Sequence, residues 1–282
     1  MKKKCDILAP FTMILMAITS ITGILSLNFS YAREFVNQYG HNVKLYNYGI
    51  YASDSFFKAP ISIGTDFCIL FVAIPMFLYL YTKYVKNGDA LSELKLISMY
   101  AVVFYYAASI AFGVTYNRLF LVYVMLFSAS LFGMFWHITK LEWKHSVELT
   151  NGLKVFLILS GIALIVAWLP DIIPTLFTGD TLPLIGVYTT EITYVLDMGI
   201  ISPLCFACLF LLAKKKPLGT VLLAVLLRAC IIVGVMMIPQ TVCQIASGIE
   251  IAAPVLITKS LSFVLLGGFA IYFNHKMCKE VV

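Results

Sequence analysis

Apolar residues in this chain gather into eight runs of bilayer length, separated by polar breaks. The runs cover about residues 7–28, 62–84, 94–114, 119–139, 153–172, 188–213, 218–238 and 252–273. A helix rises about 1.5 Å per residue, so about 20 apolar residues cross a hydrocarbon core of about 30 Å. The pattern predicts an all-α fold, a polytopic membrane helix bundle of about eight transmembrane helices forming a single transmembrane domain over 1–282. The outer loop, 29–61, is rich in Tyr and Asn and too short for a domain, so it is expected to lie over the helices as a lid. The connector near 174–187 carries Pro, Gly and Thr and is expected to close the same face. Lys86-Asn87-Gly88-Asp89 and Lys216-Pro217-Leu218-Gly219 mark tight turns.

Basic residues orient the runs. With both termini cytoplasmic, one face receives Lys2, Lys3, Lys4, Lys83, Lys86, Lys95, Lys140, Lys144, Lys154, Lys214, Lys215, Lys216, Lys276 and Lys279. The other receives only Arg33, Lys44, Lys58 and Arg118. This is the positive-inside bias of a multi-pass protein of the cell membrane. It explains the net charge of +6 as topology and attraction to anionic lipid, with no nucleic-acid partner required. Lys2–Lys4, the first apolar run and Ser30-Tyr31-Ala32 also resemble a secretory signal with a cleavage site. The run is longer than a usual signal core, which favours a retained helix.

Composition narrows the class further. The chain is 61% apolar and 12% charged, against about 25% charged in soluble domains. A soluble enzyme, a disordered chain and a basic nucleic-acid binder are excluded on that ground. The second and sixth runs share a pattern: an Asp (Asp66, Asp197), then a Pro (Pro75, Pro203), then lysines (Lys83, Lys214). The aspartates and the lysines are offset by 131 residues and the prolines by 128. A weak parallel 4+4 repeat accounts for this, as does coincidence between similar amphiphiles.

The charges within the runs carry the candidate chemistry. Asp66, Asp197, Arg228 and Lys259 each cost about 2.5–3.5 kcal/mol near a helix centre on insertion scales. They must therefore face each other, water or a ligand. Counting from the helix ends puts Asp197 and Arg228 near the same midplane on neighbouring helices, so they are expected to form an ion pair. Asp66 or Glu191 with Lys259 is expected to form an outer layer, with Arg118 at the nearby turn. Two readings stay open: structural pairs that orient helices, or a pocket opening to the outer side that binds a polar or charged small molecule.

Other motifs add little. Cys205-Phe206-Ala207-Cys208 has redox spacing but sits in the cytoplasmic half of its run, where packing suffices. Cys68 and Cys243 share the outer level. His41, His137, His145 and His275 lack metal-ligand spacing, so no metal and no cofactor is expected. No nucleophile–base pair supports an enzyme. Tyr105, Tyr106, Tyr116 and Tyr123 read as aromatic packing.

Gly64-Thr65-Asp66 with Pro75, Tyr116-Asn117-Arg118-Leu119-Phe120-Leu121 with Tyr123, Tyr188-Thr189-Thr190, Leu196-Asp197-Met198-Gly199 with Pro203-Leu204, and Lys216-Pro217-Leu218-Gly219 occur in that order. Over about residues 60–230 the chain resembles a family of prokaryotic polytopic integral membrane proteins. The resemblance implies a shared multi-span fold and brings no activity, substrate or cofactor. Where such relatives are expected to carry Lys, this chain has Arg228. The expected function is a small-molecule binding or transport protein whose pocket holds Asp66, Arg118, Glu191, Asp197, Arg228 and Lys259. The alternatives are a membrane scaffold or assembly factor and an intramembrane enzyme. The partners expected are the lipid bilayer and a polar or charged small molecule.

Overall fold

The computed structural model describes residues 6–28, 32–182, 184–250 and 261–281. Six helical stretches among them are long and apolar enough to cross a membrane: Ala59–Asn87, Ala90–Gly113, Phe120–Ile138, Asn151–Thr178, Ile192–Ala213 and Pro217–Ala246. The chain is thus a mostly helical, multi-pass membrane protein. The first apolar run forms α1, Leu8–Ile24, of only 17 residues. The eighth ends in α11, Ser262–Val281, while its residues 252–260 lie outside the described residues.

Between these come α2 (Ala59–Cys68), α3 (Ile74–Asn87), α4 (Ala90–Gly113), α5 (Phe120–Ile138), α6 (Asn151–Val166) and α7 (Leu169–Thr178). Then follow α8 (Ile192–Leu196), α9 (Ser202–Ala213) and α10 (Pro217–Ala246). Turn chemistry sets the boundaries. Gly88 ends α3 at φ +64°, and Asp89 caps α4 by accepting the Ser92 amide at 2.6 Å. Pro217 starts α10 at the position where its missing N–H costs nothing.

Several helices run past the apolar limits read from sequence. α7 carries the fifth run to Thr178, into the connector expected to be loop, α10 continues to Ala246 and α11 to Val281. The sixth run begins later, at Ile192.

The fold is not purely helical. The outer loop holds an antiparallel hairpin, β1 (Arg33–Val36) on β2 (Asn42–Leu45), with Arg33 opposite Leu45 and Val36 opposite Asn42. Its turn is an Asx turn: Asn37 Oδ1 accepts the Tyr39 and His41 amides at 3.0 and 2.9 Å. The hairpin tip clamps the segment before α8. Asn37 Nδ2 donates to Gly186 O at 2.6 Å, Gln38 Nε2 to Tyr188 O at 3.0 Å, and Tyr39 OH to Tyr188 O at 3.1 Å.

Helix α4 lies against α5, α10 against α11, α1 against α2 and α5, and α6 against α9. α10 also packs on α2 and α4, joining the early and late helices. Small residues permit the close approaches. A Cβ on Gly234 would stand 2.9 Å from the Gly267 Cα, and one on Gly64 would stand 2.4 Å from the Gln240 Cα.

The second and sixth runs share one irregularity. Each straight helix is interrupted by a π-helical turn, Ile69–Ala73 and Asp197–Ile201. These turns are 128 residues apart, the same spacing as Pro75 and Pro203, which stand second in α3 and α9. Proline has no N–H to give to the preceding turn, and a π turn absorbs that break.

Candidate functional site

Asp66, on α2, is fully buried, and each carboxylate oxygen has a phenolic donor. Tyr51 OH donates to Oδ2 at 2.6 Å and Tyr106 OH to Oδ1 at 2.9 Å. Gly23 of α1 presses on the same group: a Cβ there would fall 1.7 Å from Oδ2. Asp197, at the second π turn, is held alike. Tyr105 OH donates to Oδ1 at 2.7 Å and Trp168 Nε1 to Oδ2 at 3.0 Å. Each deep aspartate thus takes one tyrosine from α4 and one aromatic donor from a hairpin-side element.

The expected Asp197–Arg228 ion pair is absent. Arg228, buried on α10, donates from Nε to Ser98 Oγ at 3.4 Å and from Nη1 to Met76 Sδ at 3.2 Å. The two are anchored at different places on α4: Arg228 meets Ser98, together with Met76 of α3, whereas Asp197 meets Tyr105, seven residues further on, together with Trp168. Glu191 pairs with Lys58 of the outer loop. Lys58 also lies 4.0 Å from the Tyr188 ring centroid, a cation–π contact. Burial raises the Glu191 carboxyl above its ordinary range, with the Lys58 ammonium working against that. Arg118 is exposed on the α4–α5 turn, and Lys259 lies outside the described residues. Among the described residues, Asp66, Arg118, Glu191, Asp197 and Arg228 have separate surroundings and line no common pocket.

The hairpin face does contain a groove of about 490 Å³ between α7 and the α8 region. Its walls are Ile172, Leu182, Val195 and Met198, its polar groups Thr175, Thr190, Glu191 and Tyr194. Gly199, in the second π turn, completes the lining, and a Cβ there would meet open space. Two of the lining hydroxyls have already committed their hydrogens. Thr175 OH donates to Ile172 O at 2.8 Å and Tyr194 OH to Asp171 Oδ2 at 2.8 Å. With the Glu191 carboxylate, they offer lone pairs to whatever enters. Trp168 stacks on Tyr194 with ring centroids 4.5 Å apart, which couples the groove to Asp197.

Two polar clusters escaped the sequence reading. Asp54 is buried under the hairpin, where Oδ1 accepts Tyr188 OH at 2.8 Å and the Thr115 amide at 2.9 Å. Burial pushes its carboxyl up to about 6, despite those two hydrogen bonds. At the lysine-rich end, His137 Nε2 stands 3.0 Å from Asp6 Oδ2 and Nδ1 3.3 Å from Glu93 Oε1, all three buried. Tyr100 OH donates to the same Asp6 oxygen at 2.7 Å. Burial acts to raise the Asp6 carboxyl, but the bonds from His137, Tyr100 and the Leu8 amide outweigh it and hold it low. A ring with hydrogen on both nitrogens satisfies both carboxylates; a neutral ring satisfies one. The available signal was positional, since Asp6, Glu93 and His137 each stand at the lysine-rich end of an apolar run.

Cys68, Cys205, Cys208 and Cys243 are free thiols. Among the described residues no group of three or more His, Cys, Asp or Glu is arranged to hold a metal ion. No protein-family profile, curated protein or solved structure matches the chain.

Proposed function

We propose that this chain is a small-molecule binding protein of the cell membrane, taking an amphiphile with a hydrogen-bond-donating head, an amine or hydroxyl, in the groove between α7 and α8. The observation that carries this reading is the lining. Apolar walls suit a hydrocarbon body, while Thr175, Tyr194 and Glu191 present acceptors and so select a donor. In this reading eight helices span the membrane, both termini lie on the lysine-rich cytoplasmic side, and the groove opens to the outer side. The matched π turns and prolines support a parallel 4+4 repeat. The enclosure of Asp197 by Tyr105 and Trp168 favours binding over transport, since both of its oxygens already hold donors from within the chain.

The test uses Trp168 emission in a Trp136→Phe, Trp143→Phe background, with protein in nanodiscs titrated with dodecylamine or dodecanoate. The expected result is a saturable shift with the amine alone, weakened about tenfold by Glu191→Gln, the loss of one charge-assisted bond. Equal responses to the two head groups, or an unchanged Glu191→Gln titration, would overturn it.

A second reading, a membrane scaffold, draws on a separate observation. Both oxygens of Asp66 and both of Asp197 are bonded within the chain, which suits helix-orienting groups. It predicts no response to either amphiphile.

A further inference from the structure

Arg228 carries a charge that no acidic side chain answers. It is the twelfth residue of α10, about 17 Å along the helix from the lysine-rich end, and only 7% exposed. All fourteen Asp and Glu residues lie among the described residues, and none of them forms an ion pair with it. Its contacts are a long bond to the Ser98 hydroxyl, which itself donates to Lys95 O at 2.7 Å, and the Met76 thioether. A thioether is a weak acceptor. An intramembrane guanidinium ordinarily pairs with an acid or lines a ligand path, because its isolated burial is costly.

The surroundings reinforce the sign of the missing group. Lys83, Lys86 and Lys95 outnumber Asp89 and Glu93 about the α3–α4 turn, and Lys214, Lys215 and Lys216 precede α10, so the nearest helix ends are together net positive. Such a field concentrates anions at the entrance to the α3–α4–α10 contact. An oxyanion at the guanidinium would form charge-assisted, bidentate hydrogen bonds that the thioether cannot.

We propose that Arg228 is an anion-binding residue, holding a carboxylate or phosphate that enters from the lysine-rich end and displaces the Met76 thioether. The oxyanion chemistry is common to a free anion and an acidic lipid headgroup. This site is separate from the groove and does not rest on its occupancy.

The experiment measures thermal unfolding in nanodiscs, at matched ionic strength, with sodium chloride, sodium acetate or sodium phosphate. Discs of phosphatidylcholine are compared with discs containing phosphatidylglycerol. Phosphate or acetate is expected to raise the Tm saturably, by about 3–5 °C at tenfold over Kd, and chloride is not. A rise in phosphatidylcholine discs identifies a free anion; a rise confined to phosphatidylglycerol discs identifies a headgroup. Arg228→Met is expected to abolish either rise while matching or exceeding the wild-type Tm in chloride, because it removes an unanswered charge. Met76→Leu, which keeps the arginine and removes its stand-in acceptor, is expected to enlarge the rise. The proposal is overturned if wild type and Arg228→Met respond equally to anions and lipid, or if Met76→Leu shows no anion response.

Discussion

Tyr105 and Tyr106, consecutive on α4, donate their hydroxyl hydrogens to different carboxylates, Asp197 and Asp66. Neighbouring residues on a helix diverge by about 100°, so one turn of α4 ties together the two spans that carry π turns. Tyr106→Phe leaves one Asp66 oxygen without its donor and is expected to cost about 1–3 kcal/mol. Tyr116→Phe is the control, because Tyr116 is 83% exposed. Chemical unfolding in detergent checks the pair; equal losses would show that the buried hydroxyl contributes nothing.

Gly23 offers a steric test of the same site. Gly23→Ala places a methyl where Asp66 Oδ2 stands, so the carboxylate must leave Tyr51 or α1 must withdraw. A loss of about 1–3 kcal/mol is expected. Gly152→Ala should be near neutral, its nearest neighbour being the Phe273 ring edge at 3.7 Å. A Gly23→Ala protein as stable as wild type would contradict this packing.

Asp54 makes the hairpin face sensitive to pH. Its carboxyl titrates near 6 in the fold against an ordinary value of 3.8, so the native state holds the proton more tightly than the unfolded chain. The stabilisation is therefore complete below pH 3.8, is lost as pH rises to about 6, and is absent above. Its size is about 3 kcal/mol. Asp54→Asn should flatten this part of the profile and be more stable than wild type at pH 7. Thermal melts of both proteins between pH 3.5 and 7 decide it; parallel profiles would refute the assignment.

The lysine-rich end should be brittle toward loss of one ring. His137→Leu leaves Asp6 and Glu93 buried without their shared donor, and removing one partner of a buried charged group costs about 3–5 kcal/mol. Adding Asp6→Asn with Glu93→Gln removes the two charges that faced the ring and should restore part of that loss. Unfolding curves of the single and triple variants test it, and an additive further loss would refute the arrangement.

Sequence made the multi-pass helical class legible because bilayer length is a one-dimensional property, and six of the eight apolar runs fall in helices long enough to cross a membrane. It also marked Asp66 and Asp197 as groups needing partners. The partners themselves were not legible. Tyr105 and Tyr106 read as packing because nothing local distinguishes a phenol that donates from one that fills space. The Asp197–Arg228 pairing failed because counting residues places backbone positions, whereas a long arginine side chain reaches a different part of α4, at Ser98, from the one that holds Asp197, at Tyr105. Pro75 and Pro203 signalled that break without fixing its form. The hairpin went unread because its strands are four residues each, and β1 is exposed throughout.

The clamp between the hairpin tip and Gly186–Tyr188 joins residues about 150 positions apart. At about 5–20 residues per second of synthesis, Asn37 and Gln38 wait some 8–30 s before their acceptors are made. During that interval the hairpin exists while the segment it will clamp has not yet been synthesised. Assembly of this face is therefore a timed event: the first half of the chain arrives early and is locked only by the late arrival of the second.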